Sequence, residues 1–295
     1  MSTALEAASL IMVPSGYSDG MLGSVKPTDG SGNFTFTRGT DIGATRVAPD
    51  GYIEKGYENL LLQSNSFTTS PWGITSNASV ISGYSGYDGS NNAWLLTKTG
   101  ASFNHLNQSI SQSGVKTFSV YAKAGTLNGL RLLNLGGGNS TAYFDLSNGT
   151  LDSSAVSTIE AKIEAVGNGW YRCLITDNEA ITQVRIYPIT PPGVFSDNGS
   201  IYIQDAQLEV GLTSTEYIES GATKGKAGLL ESEPRFDYSN GASCPSLLLE
   251  PSRTQLFGNT EYFENESISS GCVLDTNADI SPEGLKNATS IYGNG

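Results

Sequence analysis

Histidine is all but missing from this chain. His105 is the only one, and no acid stands near it in sequence to orient it, so a Ser-His-Asp relay lacks its parts. Cysteine is scarce: Cys173, Cys244 and Cys272 are widely spaced, with no second ligand cluster for zinc. They read as reduced, ordinary thiols. Positive charge is short as well, with Lys+Arg 16 against Asp+Glu 29 and a net charge of −13. Binding a phosphate backbone needs clustered cations, so nucleic acid is not expected as a partner. No apolar run approaches the roughly 20 residues of a membrane helix, so no membrane insertion is expected. The opening MSTALEAASLIMVPSGY places Glu6 where a secretory signal carries its basic segment, and no long apolar stretch follows; it reads as no such signal. Residues 221–226 look like a phosphate loop, but the spacing is one residue short and Ala227 replaces the required hydroxyl, which removes that option.

What is present is turn chemistry. In 295 residues there are 35 Gly, and only 15% of the chain is charged; with Ser, Thr and Asn crowding the text, this is the composition of an all-β protein. The length allows one or two domains. Residues 4–12 are predicted to form a short helix that Pro14 and Gly16 end. Residues 19–58 alternate briefly, as in Asn33-Phe34-Thr35-Phe36-Thr37, with too few large apolar residues to fold alone. Residues 1–56 are therefore expected to be an anchor segment lying on another surface. From Leu60 to Glu219 short strand candidates recur between turns such as Gly136-Gly137-Gly138, Asn148-Gly149, Asn168-Gly169 and Pro191-Pro192-Gly193. Within Thr117 to Lys123, Phe118, Val120 and Ala122 fall on one face, and Thr117, Ser119 and Lys123 on the other. The pattern predicts a sandwich or barrel over 57–220. Residues 221–255 read as a linker with a docked strand.

The last forty residues echo the start of that module. Leu61-Leu62 and Phe67 return as Leu256-Phe257 and Phe263, Asp88-Gly89 as Glu283-Gly284, Asn92-Ala93 as Asn287-Ala288, and Gly100 as Gly295; the offset is 283 − 88 = 195 and 287 − 92 = 195. Residues 256–295 are expected to start a second sandwich that stops about a quarter of the way through. A partial sandwich leaves edges and one apolar face bare, so the missing part is expected from residues beyond 295 rather than from another chain.

Two resemblances follow from specific residues. Asn59 to Val80, with Asn65, Phe67 and Trp72, resembles the opening of family 4/9-type carbohydrate-binding modules, and Ile201 to Glu209 their last strand. A closer one is to head spike fibre or fibre-type domains of tailed phages. It rests on Phe118 to Gly125 (FSVYAKAG), Gly169-Trp170-Tyr171-Arg172, and Ala206 to Gly211 (AQLEVG) with Glu216-Tyr217-Ile218-Glu219. Phe34 to Arg38, Ala44 to Val47, Asp50 to Glu54 and Ser246 to Thr254 resemble the lead-in of such proteins. The resemblance implies a jelly-roll sandwich displayed on a virion surface and assembled in the host cytoplasm. It implies attachment to capsid or tail through the N-terminal segment, a homo-oligomer (trimer or dimer), and glycans as partners. No catalysis is expected; the rival expectations are a ligand-free capsid ornament and the targeting part of a polysaccharide depolymerase.

Sugar sites stack aromatic rings on pyranose faces and frame them with polar groups. Trp72 and Trp170 read as core or rim residues. Tyr84 and Tyr87, in the loop SGYSGYDG, are expected to be exposed and ligand-facing; Trp94, Tyr121 and Tyr187 are further candidates. Asp205 shares parity with Ile201 and Ile203 and should point inward unless a bulge intervenes, and a buried carboxylate needs a partner. The resemblance implies a structural calcium there, although Thr68 stands where its companion acid belongs. Glu160, Glu164 and Asp177 read as solvated strand faces, and no pair of carboxylates is singled out for glycoside hydrolysis.

Overall fold

The computed structural model describes residues 4–18, 20–38, 43–100, 102–154, 157–251, 256, 262–263 and 271–293. They fall into two compact units, one of residues 1–57, 226–260 and 278–288, the other of 58–225, 261–277 and 289–295. Among the described residues no helix is long and apolar enough to cross a membrane, and no disulfide joins Cys173, Cys244 and Cys272.

In the first unit a one-turn helix, Ala4–Ala7, precedes strands β1 (Ile11–Ser18), β2 (Met21–Lys26) and β3 (Phe34–Thr35), which form a three-stranded sheet. The helix predicted over 4–12 is thus corrected to a single turn followed by a strand. Pro14 is tolerated because β1 is an edge strand whose register slips between Met12 and Tyr17; a missing backbone N–H costs little there. Strands β4 (Thr45–Val47) and β5 (Ile53–Asn59) belong to a second small sheet. The N-terminal residues are pinned by later ones: Arg38 donates to the carbonyls of Leu230 and Glu233, and the Tyr238 amide to that of Val47 at 3.0 Å.

The sandwich of the second unit is built from twelve strands: β6 (Trp72–Ile74), β7 (Ala78–Tyr84), β8 (Ala93–Lys98), β9 (Leu106–Gln112), β10 (Lys116–Ala124), β11 (Gly129–Gly136), β12 (Ser140–Asp145), β13 (Thr150–Ser154), β14 (Thr158–Gly167), β15 (Trp170–Asp177), β16 (Ile181–Ile189) and β17 (Gly199–Val210). They make two six-stranded antiparallel sheets, in the orders β14-β15-β10-β17-β8-β7 and β13-β12-β11-β16-β9-β6, hereafter the β10 sheet and the β11 sheet. This is a jelly-roll β-sandwich. Alternation decides what goes between the sheets. Phe118, Val120 and Ala122 of β10 meet Leu130 and Leu132 of β11 in one core cluster; emptying a site such as Phe118 costs about 3–5 kcal/mol. Trp72 and Trp94 set their edges against Phe67, at 5.1 and 5.7 Å. Asn168 and Gly169, at φ 53° and 77°, are the two-residue loop between β14 and β15, where the primed hairpin turn requires positive φ at both positions.

One end of the core is polar. Asp177, expected on a solvated strand face, is fully buried. The Lys116 ammonium donates to its Oδ1 at 2.6 Å, the Asn134 amide to its Oδ2 at 2.5 Å, and the Glu179 backbone N–H to Oδ1 at 3.0 Å. A charge taken out of water needs this degree of pairing.

Beyond the sandwich come the short strands β18 (Gly225–Gly228), which joins β4 and β5, and β19 (Phe236–Asp237) with β20 (Ser246–Leu247), then β21 (Cys272–Asp279) and β22 (Ala288–Gly293). The last two repeat β7 and β8 at the offset read from the sequence, since 279 − 84 = 195 and 288 − 93 = 195. Their turn repeats as well: Gly86 N–H donates to Ser90 O and Ser281 N–H to Leu285 O, both at 2.8 Å, and Gly89 and Gly284 share φ of 81° and 77°. The echoes at Phe257 and Gly295 lie outside the described residues.

Candidate functional site

Residues that alternate away from the core form the two outer faces, and the candidates divide between them. On the β10 sheet, Tyr121 points outward beside Arg172 of β15 and Gln204 of β17. The register of β17 jumps between Ser119↔Gln207 and Tyr121↔Gln204, and Asp205 sits in the extra residue with φ 52°. The bulge therefore intervenes and takes Asp205 out of the inward row set by Ile201 and Ile203.

Tyr87 is brought onto this face from the β7–β8 loop. Its ring lies on Tyr121 with centroids 3.8 Å apart and planes 6° apart, and its hydroxyl donates to Asp205 Oδ2 at 2.9 Å. Burial pushes the Asp205 carboxyl up to about 6, and burial together with that carboxylate pushes the Tyr87 phenol up. Tyr84 packs against Tyr202 at 5.3 Å. Arg172 stands over the Tyr121 ring at 5.3 Å and donates to Ser119 and Ser214, while Glu209 accepts from Ser214 Oγ and the Thr215 N–H. The candidates Tyr84, Tyr87, Tyr121 and Asp205 thus converge, but they spend their groups on one another. Tyr87 was expected to be exposed; instead it is half-buried, and one face of its ring is covered by Tyr121. Trp170 is buried beside them.

The donor set does not fit the implied calcium. The groups meeting the Asp205 carboxylate are the Tyr87 hydroxyl and the Gln204 amide nitrogen, which give hydrogens where a hard cation needs oxygens. Among the described residues no three His, Cys, Asp or Glu gather as a metal site. Trp94 lies between the sheets, its indole N–H on Asn65 O at 3.2 Å.

Tyr187, the last candidate, faces out from the β11 sheet. Across the strands it pairs with Arg131, and Arg131 with Tyr143. The Arg131 guanidinium carbon lies 4.8 Å from the Tyr187 ring centroid, 5.4 Å from Tyr143 and 5.6 Å from Phe195. His105 packs on Tyr187 at 4.6 Å; its Nδ1 meets Phe103 O at 2.7 Å. Burial lowers its pKa, and the Arg185 and Arg131 charges add to this against that backbone hydrogen bond. Tyr187 itself is only 1% exposed and serves as floor. The accessible part is Phe103, 62% exposed and 4.5 Å from Phe195, beside a polar row. In that row Arg185 bonds Gln183 and the Tyr187 hydroxyl, and the Gln183 amide donates to Asn107 Oδ1 at 2.9 Å. Arg131, Arg185, Gln183, Asn107 and Phe103 were not singled out in the sequence. Their only local signal is Arg131 among the leucines of β11, with the outward parity that its alternation gives.

Rings beside a fork of guanidinium donors and a run of amides present an apolar surface with fixed hydrogen-bonding groups, the pairing that recognises a polar molecule with an apolar face. No family model matches the chain, and no curated protein matches it. Solved structures do. The xylan-binding domain of carbohydrate-binding module family 22 is 16% identical, with 54% of this chain and 98% of that one covered and a TM-score of 0.34. The C-terminal family 22 module of Clostridium thermocellum Xyn10B is 19% identical over 54% and 96%, also at 0.34. The enzymatically active domain of bacteriophage CBA120 tailspike protein 4 is 16% identical over 51% and 21%, at 0.31.

Proposed function

We propose that the chain is a non-catalytic tailed-phage fibre protein on the virion surface, whose sandwich holds glycans on the outer face of the β11 sheet. The observation that carries this reading is that the exposed Phe103 ring, packed on Phe195 and through it on Tyr187, shares that face with the Asn107–Gln183–Arg185 row. A pyranose places its apolar face on such a ring and its hydroxyls on such a row. The placement on a virion rests on the fibre-type motifs, above all Phe118 to Gly125 and Ala206 to Gly211. Residues 1–56 then attach to capsid or tail proteins, and homo-oligomers, a trimer or dimer, raise weak single-site binding by avidity.

The test is a glycan array probed with the full chain, beside adsorption rates of phage with and without the protein. Binders on the array that Phe103→Ala weakens about tenfold, the scale of one lost ring stack, are the expected result. An array without binders and an unchanged adsorption rate overturn it. Loss of capsid integrity on deletion would point to an ornament, and release of reducing ends from host polysaccharide to a depolymerase.

A further inference from the structure

Resting on that reading of the β11 face, we infer that its ligand is a carboxylate-bearing saccharide, gripped by Arg131 and Arg185. Six of the other cations are matched. Arg46, Lys55, Lys116, Lys162, Lys224 and Arg235 each pair with a carboxylate. Arg131 and Arg185 do not. Among the described residues the Arg131 side chain hydrogen-bonds through Nε to Thr141 Oγ1, at 2.9 Å, and Arg185 reaches the Gln183 carbonyl and the Tyr187 hydroxyl; all of these acceptors are neutral. With Asp+Glu 29 against Lys+Arg 16 in the chain, carboxylates are plentiful, yet this face pairs none with its two guanidiniums.

The geometry suits a carboxylate. Arg131 faces Tyr187 and Leu133 faces Arg185 across β11 and β16, so the two arginines are diagonal neighbours, about 7–8 Å apart at their bases. Three rings hold the Arg131 guanidinium in place, and its Nη groups make no hydrogen bond within the described residues. A planar fork fixed in this way offers two parallel donors to a carboxylate, which an ammonium cannot match. Two like charges on one face repel, and a bound anion relieves that repulsion where a neutral sugar leaves it in place. Phe103, 62% exposed, supplies the apolar platform for the ring that carries the carboxylate.

The experiment is calorimetric titration of the full chain with oligogalacturonate, alginate oligomers and oligosialic acid, each beside its carboxyl-reduced form, in which a primary alcohol replaces the carboxylate. Dextran and dextran sulfate complete the set. At least one acidic oligomer is expected to bind, and carboxyl reduction to weaken it roughly tenfold or more, the scale of a charge-assisted bond. Arg185→Gln should give a like loss in the protein that remains folded, and Arg131→Lys, which keeps the charge and loses the fork, a smaller one. Equal binding of the reduced form, an unaffected Arg185→Gln, or binding confined to dextran sulfate overturns the inference. If only neutral saccharides bind, the inference falls and the glycan reading stands; if nothing binds, both fall.

Discussion

On one outer face of the sandwich Tyr87 lies on Tyr121 with its hydroxyl on Asp205; on the other Arg131 lies on Tyr187 with its Nη groups unbonded. Both faces are aromatic and charged, and both are built on central strands. They differ in where the last polar groups go. On the β10 sheet a loop and the segment after β17 supply partners, so Asp205, Glu209 and Arg172 are all bonded within the fold, and only Arg172 Nε is left buried without an acceptor. On the β11 sheet the rings fix a guanidinium whose Nη donors meet no acceptor among the described residues. Aromatic content therefore does not distinguish the two faces; the donors left over beside it do.

The comparison breaks if the faces respond alike to substitution. The largest difference is expected at Trp170, buried under the Tyr87–Tyr121 stack. Trp170→Ala should cost about 3–5 kcal/mol in urea unfolding and leave saccharide binding by the surviving folded fraction unchanged.

Next comes pH. Asp205 titrates at about 6 in the folded chain, above the unfolded value of about 3.9. The folded state thus binds this proton more tightly. Its stabilising contribution is complete below about pH 4 and is lost as pH rises through 6, a decline of about 2–3 kcal/mol. Asp205→Asn should lack that slope, so the difference between the two stability curves should change by this amount over pH 4–7; a parallel pair of curves would show that the buried carboxyl is not perturbed.

On the β11 face, Tyr187→Phe removes the acceptor of one Arg185 hydrogen bond and should cost about 0.5–1.5 kcal/mol, read by the same denaturation. The smallest effect on stability is expected at Phe103, where Phe103→Ser should stay within about 0.5 kcal/mol in thermal unfolding even as glycan affinity falls. A large loss of stability there would make Phe103 part of the fold rather than of the site.

Much of the fold was legible because alternation is local. Thr117 to Lys123 assigns each side chain to a face without knowledge of its neighbours, and Asn168-Gly169 announces its own turn. Across the 195-residue offset, the recurrence of Asp88-Gly89 as Glu283-Gly284 carried a hairpin with it. Other features depend on pairings over long separations. The bulge at Asp205 exists only in register with β10. Tyr87 reads as a loop residue until Tyr121 is placed beneath it, and Arg131 acquires its rings from β12, from β16 and from the loop that carries Phe195. The helix predicted over 4–12 failed because Ile11 and Met12 pair with β2, a demand that overrides local preference.

The buried pair of Lys116 and Asp177 has a consequence for how the strands find one another. The two residues lie directly opposite at the ends of β10 and β15, 61 positions apart in the chain. Were β15 to shift by one residue against β10, every side chain of one strand would change sides, and the charge on the other strand would be left in the interior without its counterpart, at several kcal/mol. Oily side chains of similar size would forgive that error; these two groups reject it, so they work as an alignment key that only one pairing of the strands can turn.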